Sequence, residues 1–251
     1  MEQNRAAGAP NHKAHPSRVH NFAQYKGYFA KTDRIDARLL ALYAQESGIE
    51  PDSIMDKNQL KIKEYSSRRT QLKDMLTAEK QRLKSVMFAS DIKRSIKRQI
   101  KQIEQELSLV TEKLNAIIQA DASLQVKYDR LQTVKGVGKE VALILVTDLP
   151  ELGELNREKI SHLVGVAPQT RESGQKQYYR RIHHGRFYVR KALYMSALVA
   201  IRYNPRMKKI YQRLLAKEKL KKVALVAVMR KMIIMLNSMI QNQVDWDMTK
   251  I

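Results

Sequence analysis

Asp33 and Asp36 stand three residues apart in Lys31-Thr32-Asp33-Arg34-Ile35-Asp36-Ala37, a spacing that puts both carboxylates on one face at the start of a helix. Together they could hold a hard divalent cation such as Mg²⁺, which takes oxygen ligands and shares them with a substrate phosphate. The same pair would also serve as first-turn caps, Asp33 accepting from free N–H groups and Asp36 pairing with an arginine. A hydroxyl of different potential lies far along the chain. Ser173 precedes Gly174 in the polar stretch from Ala167 to Gln175, with Arg171, Arg180 and Arg181 nearby. An exposed serine there could attack phosphorus while the guanidinium groups stabilise a pentavalent phosphate. A Ser-Gly pair is also the ordinary composition of a turn.

Leu131-Gln132-Thr133-Val134-Lys135-Gly136-Val137-Gly138-Lys139-Glu140-Val141-Ala142 places an apolar residue between two glycines, with a helical pattern resuming after them. This is the pattern of a helix-hairpin-helix. Gly136 and Gly138 permit a tight turn whose N–H groups, with the positive end of the next helix, can meet a phosphate, and Lys135 and Lys139 add charge. Contact with the nucleic-acid backbone rather than with bases is expected, although a turn that only packs two helices fits the same residues. Arg186 and Arg190 are further candidate nucleic-acid contacts. His183-His184-Gly185-Arg186 with Tyr211 downstream loosely matches the His-x-x-Arg and tyrosine set of tyrosine recombinases, offering Tyr211 as an alternative nucleophile. His12, His15 and His20 fit no closed zinc site. Tyr178, Tyr179, Tyr188, Tyr194 and Tyr203 could stack on bases or simply pack, and packing is expected for Tyr194 and Tyr203, which lie in an apolar helix pattern.

The elements that must position these groups are mainly helical. In residues 1–48, roughly alternating Val19-His20-Asn21-Phe22-Ala23 reads as a half-buried strand. Thr32 or Asp33 caps a helix through Leu39 and Tyr43 that Gly48 ends. Residues 57–120 read as two long helices joined near Phe88-Ala89-Ser90-Asp91. In the second, Ile96, Ile100, Ile103, Leu107, Val110, Leu114 and Ile117 form an a/d seam, so the pair can close as an antiparallel coiled-coil hairpin and offer a surface to a second copy. Residues 128–242 form a helical domain, with a final helix pattern from Arg206 to Gln241.

Composition narrows the partner. The 251 residues carry 47 Lys plus Arg against 25 Asp plus Glu, a formal charge of +22. The span from Arg171 to Lys222 holds 16 of the cations and only two acidic residues, Glu172 and Glu218. Polyanions release counterions when such cations replace them, so nucleic acid is the expected partner and acidic lipid a weaker one. An apolar content of 43% suffices for a core and excludes a wholly disordered basic tail. With no cysteine, disulfide frameworks and thiolate chemistry are excluded, which suits a reducing cytoplasm. Val223 to Ile240 is interrupted by Arg230 and Lys231 and is read as a buried helix rather than a membrane span.

Taken together, His15-Pro16-Ser17-Arg18-Val19, Gly27, Ala30 to Ala37, Val134 to Ala142, Leu163-Val164-Gly165-Val166-Ala167-Pro168 with Ser173-Gly174, and Arg190-Lys191-Ala192-Leu193-Tyr194 resemble the transposases of the insertion sequence 110 family in order and spacing. The resemblance implies a RuvC-like, ribonuclease-H-fold α/β domain with four acidic residues for Mg²⁺, a coiled-coil connector, and a C-terminal transposase domain with a serine nucleophile. Asp33 and Asp36 match the third and fourth acidic positions, and Ser173 matches the serine. It further implies DNA as substrate and an element-encoded bridge RNA as guide. The family's first two acidic residues would lie upstream of His15, so residues 1–48 are expected to be a truncated RuvC-like remnant. The expected function is serine-mediated, Mg²⁺-assisted DNA recombination. The alternative is a non-catalytic nucleic-acid-binding remnant of a truncated transposase.

Overall fold

The computed structural model describes residues 14, 16–29, 32–48, 56–169, 172–173, 176–177, 181–182 and 184–246. They are mainly helical and divide into two compact units, residues 1–56 and 57–251.

The first unit pairs α1 (Pro16–Tyr25) with α2 (Asp33–Glu46). The segment Val19 to Ala23, expected as a strand, lies inside α1, and no strand occurs among the described residues 14–48. The reason is that Val19, Phe22 and Ala23 are spaced i, i+3, i+4, and a proline at the first helical position presets the backbone. Ala23, Leu39 and Tyr43 are buried between the helices, and Phe22 meets Tyr43 edge-on at 5.3 Å between centroids. The end of α1 is closed at Gly27 (φ +76°), with the Tyr28 N–H donating to the Ala23 carbonyl at 2.9 Å. Lys26 binds Glu46 at 2.6 Å, and this hydrogen bond raises the lysine above its ordinary range. The cap of α2 is Thr32, whose hydroxyl accepts from the Ile35 N–H at 3.3 Å.

The second unit begins with α3 (Lys57–Ser85) and α4 (Ser90–Ala120), which run antiparallel. Lys80 pairs with Glu104 at 2.8 Å, and Arg69 Nε donates to Thr111 at 3.0 Å. The apolar seam of α4 faces α3, yet of its seven residues only Ile103 and Leu114 are buried, joined by Ile118 beside the seam. The opposing seam of α3 is Ile62, Ser66, Arg69, Leu72 and Glu79, so three of its five buried positions are polar. Each polar member is satisfied: Ser66 by Asp148, Arg69 by Thr111 and Glu140, Glu79 by Arg82. A hydropathy pattern cannot register such a seam.

Next come α5 (Ala122–Gln132), α6 (Lys139–Asp148), α7 (Arg157–Val164), α8 (Phe187–Tyr203), α9 (Pro205–Leu215) and α10 (Lys221–Gln241). The pattern expected to run unbroken from Arg206 to Gln241 is two helices. Ala216 ends α9 and Glu218 takes a left-handed turn (φ +55°), which lets both helices fold onto α8. Helix α10 is the axis of the core, with Val228, Met232, Ile233 and Leu236 fully buried. Among the described residues it is the one helix long and apolar enough to cross a membrane, and here its apolar face packs on α7, α8 and α9. Ile62, Leu114 and Ile118 of the hairpin belong to the same core cluster.

Candidate nucleic-acid interface

The glycine-bearing turn between α5 and α6 is held from beneath and open above. Val134 and Val137 are 1% and 4% exposed and anchor it in the core, while Lys135, Gly138 and Lys139 between and beyond them face solvent. Gly136 has φ +108° and lies so close to α8 that a Cβ there would stand 2.9 Å from the Cβ of Ala200. Only glycine combines that backbone with that approach. Two buried side chains lock the turn: Ser196 Oγ donates to the Gly136 carbonyl at 2.7 Å, and Asn204 Nδ2 to the Lys135 carbonyl at 3.4 Å. Gly138 is the N-cap of α6 and brings no capping side chain, so the first N–H groups of α6 keep their positive end.

Glu140, in the first turn of α6, binds both Arg69 and Lys73 of α3. Burial pushes its carboxyl upward, but the two cations outweigh this and hold it below its ordinary range. One carboxylate against two cations leaves this corner with a net charge of +1. The sequence did not point to Arg69 or Glu140. The only signal was a cation at a seam position of α3.

The stretch around Ser173 is built as two short antiparallel ladders. β1 (Pro168–Gln169) pairs with β4 (Arg181–Ile182), and β2 (Glu172–Ser173) pairs with β3 (Lys176–Gln177). Ser173 is opposite Lys176, so it is the last paired residue of its strand. Beside the β1–β4 ladder, Gly165 and Gly185 form a neck where two backbone segments touch. A Cβ on Gly185 would lie 2.5 Å from the Cα of Gly165, and both glycines have positive φ (+79° and +76°). Arg190 Nη1 donates to the His184 carbonyl across the neck. Arg186 donates to the Asp148 carbonyl at 2.8 Å and makes a two-pronged pair with Glu151. These two arginines, offered by the sequence as nucleic-acid contacts, are thus engaged within the fold: the neck brings carbonyl and carboxylate acceptors to them. Arg171 and Arg180 lie outside the described residues.

In the first unit, Asp33 and Asp36 occupy the first turn of α2, and the Asp36 N–H donates to the Thr32 carbonyl at 2.8 Å. Neither carboxylate is buried. Two carboxylates sharing a face match the donor chemistry of Mg²⁺, which binds through one or two such groups when substrate phosphate completes its shell. No group of three or more metal-ligating residues occurs among the described residues. Tyr211 is half-buried against the core. Tyr194 and Tyr203, expected to pack, are instead 39% and 65% exposed.

Comparison with known proteins adds four matches. Residues 128–212 match the model described as the transposase IS116/IS110/IS902 family. Residues 4–90 match a second transposase model, of the DEDD type of IS110. Pilin gene-inverting proteins of Moraxella lacunata and Moraxella bovis are each 24% identical over 237 residues, which is 92% of this chain and 73% of theirs.

Proposed function

The chain belongs to the IS110 family of transposases, whose two models together match more than half of it, and on that premise we propose that it recombines DNA through Ser173. In this reading the Ser173 Oγ attacks a DNA phosphodiester. The new Oγ–P bond forms as a bond from phosphorus to a sugar oxygen breaks, and the sugar leaves as a free hydroxyl. The phosphoserine keeps the energy of the broken ester for rejoining to another strand. Residues 1–48 act as the RuvC-like part, with Asp33 and Asp36 holding Mg²⁺, which when bound neutralises charge on the phosphate. The turn of Lys135, Gly136, Gly138 and Lys139 acts as a helix-hairpin-helix on the DNA backbone. Helices α3 and α4 act as the coiled-coil connector and meet a second copy, and a bridge RNA guides target choice.

The observation that carries this reading is the pairing of family and placement. Ser173 is the last paired residue of its strand, within residues 128–212 that match the transposase family. The test is to incubate the full chain with donor and target DNA, guide RNA and Mg²⁺, and to look for protein covalently joined to DNA. An adduct that disappears in Ser173→Ala supports the serine route. An adduct that survives Ser173→Ala and is lost in Tyr211→Phe transfers the attack to the tyrosine. Salt-sensitive binding with no adduct under any condition leaves a non-catalytic nucleic-acid-binding protein.

A further inference from the structure

Helix α8 is apolar on both of its sides. The inner side, through Val189, Leu193, Ala197 and Ala200, is fully buried in the core or nearly so. The outer side carries Phe187, Tyr194, Met195 and Val199, which remain between 39% and 58% exposed, whereas Tyr203 lies half a turn around the helix from Tyr194. A helix of this kind is ordinarily covered on both sides, and a contiguous exposed apolar face marks a place where something binds. Lys191 and Arg202 stand on the same face at helical spacing and are exposed. Arg206 and Lys209 of α9 continue the charge, and no acidic residue occurs from Arg181 through Lys217.

The rings are also prepared. The Tyr188 hydroxyl donates to Asp74 of α3 at 2.7 Å, and Phe187 packs edge-on against Tyr188 with ring centroids 5.4 Å apart. From Phe187 to Arg202 the face runs about 22 Å by helix rise.

Charge decides the occupant. A second copy docking here through the same face would set Lys191 and Arg202 against their own kind. A nucleic-acid duplex supplies the negative charge but keeps the faces of its bases stacked inside, where exposed rings cannot use them. An unpaired strand supplies both phosphates and open base faces. We propose that the outer face of α8 binds unpaired nucleotides, whose bases stack on Phe187 and Tyr194 while their phosphates meet Lys191 and Arg202. This rests on the nucleic-acid function proposed above and adds to it a site for single strands, separate from the glycine turn.

Fluorescence anisotropy of the full chain with a labelled twelve-residue oligothymidine, and in parallel with a labelled twelve-base-pair duplex, tests the assignment. Phe187→Ala with Tyr194→Ala weakens binding of the single strand by about tenfold or more, because each stacked ring contributes several-fold. Duplex affinity stays within about twofold of the unmutated chain, as expected if backbone contacts elsewhere carry it. Phe187→Tyr with Tyr194→Phe keeps the single-strand affinity, since stacking needs the ring and not the hydroxyl. Lys191→Gln with Arg202→Gln lowers the salt slope on the single strand by about 1.4, or about 0.7 for each phosphate no longer neutralised. Both rings are exposed, so circular dichroism is expected to show unchanged helix in every variant. Equal losses on the two probes, or no loss on the single strand, overturn the assignment while leaving the proposed function standing. A chain that binds neither probe overturns both. Sedimentation showing a dimer that the alanine pair converts to monomer, with single-strand affinity unchanged, assigns the face to a second copy and overturns the proposal.

Discussion

The glycine turn before α6 and the neck formed by Gly165 and Gly185 use the same residue type for opposite electrostatic ends. At the turn, Gly136 brings the backbone against Ala200, and the clamps are neutral: Ser196 and Asn204. Lys135 and Lys139 are left exposed to solvent, and among the described residues neither has a carboxylate partner. At the neck, Gly165 and Gly185 bring two chain segments together, and the clamps are arginines whose donors are taken up by carbonyls and by Glu151. A net charge of +22 therefore overstates the surface that a polyanion meets. What matters is whether each cation already has an acceptor.

The neck should be the more fragile of the two. Gly185→Ala forces a side chain into the backbone of Gly165 at a positive φ, and should cost about 3 kcal/mol or more. The melting temperature followed by circular dichroism should fall by roughly 6–12 °C, given about 2–4 °C per kcal/mol for a chain of this size. An unchanged melting temperature would mean that the two glycines do not touch. Arg186→Ala comes next. It strips the Asp148 carbonyl and Glu151 of their partner, and because both charged groups are about one third exposed, the loss is held to about 1–2 kcal/mol. The salt slope of DNA binding should not move.

The reverse result is expected at the turn. Lys135→Gln with Lys139→Gln should leave stability within about 0.5 kcal/mol and lower the salt slope on duplex DNA by about 0.9 for each phosphate that the lysines neutralise. If Arg186→Ala changes the slope and the lysine pair does not, the contrast between turn and neck is wrong. Ser196→Ala removes one buried hydrogen bond to the Gly136 carbonyl and should cost about 1 kcal/mol.

The smallest effect is at Glu140. Its folded pKa lies below the ordinary 4.5, so the ionised carboxylate adds stability above that value, and this contribution is lost as pH falls through the folded pKa. Half of its side chain is exposed, so the gain should be no more than about 1 kcal/mol. The melting difference between the unmutated chain and Glu140→Gln should shrink on acidification from about pH 7 to about pH 3. A constant difference would sever Glu140 from Arg69 and Lys73.

Local signals were legible wherever one segment determines its own conformation. Thr32 caps α2, Gly48 follows its end, the break between α3 and α4 falls near Phe88, and two glycines mark the turn before α6. The seam of α4 was legible because its seven apolar side chains repeat every three or four residues. Its partner in α3 was not, because Ser66, Arg69 and Glu79 are buried by what they bind and not by their own hydropathy. The strand reading of Val19 to Ala23 failed for a related reason. Five residues sample two periods too briefly to separate them, and packing against Leu39 and Tyr43 of α2 decided the outcome.

The amino-acid order alone determined the helical character, the excess of positive charge and the family. Tertiary structure decided which cations are spent inside the fold, which tyrosines stay in water, and that Gly165 and Gly185 bring two backbones into contact. Those properties depend on which groups distant segments bring within about 3 Å of one another, the reach of a hydrogen bond, and no periodicity in one segment encodes its neighbour's acceptors.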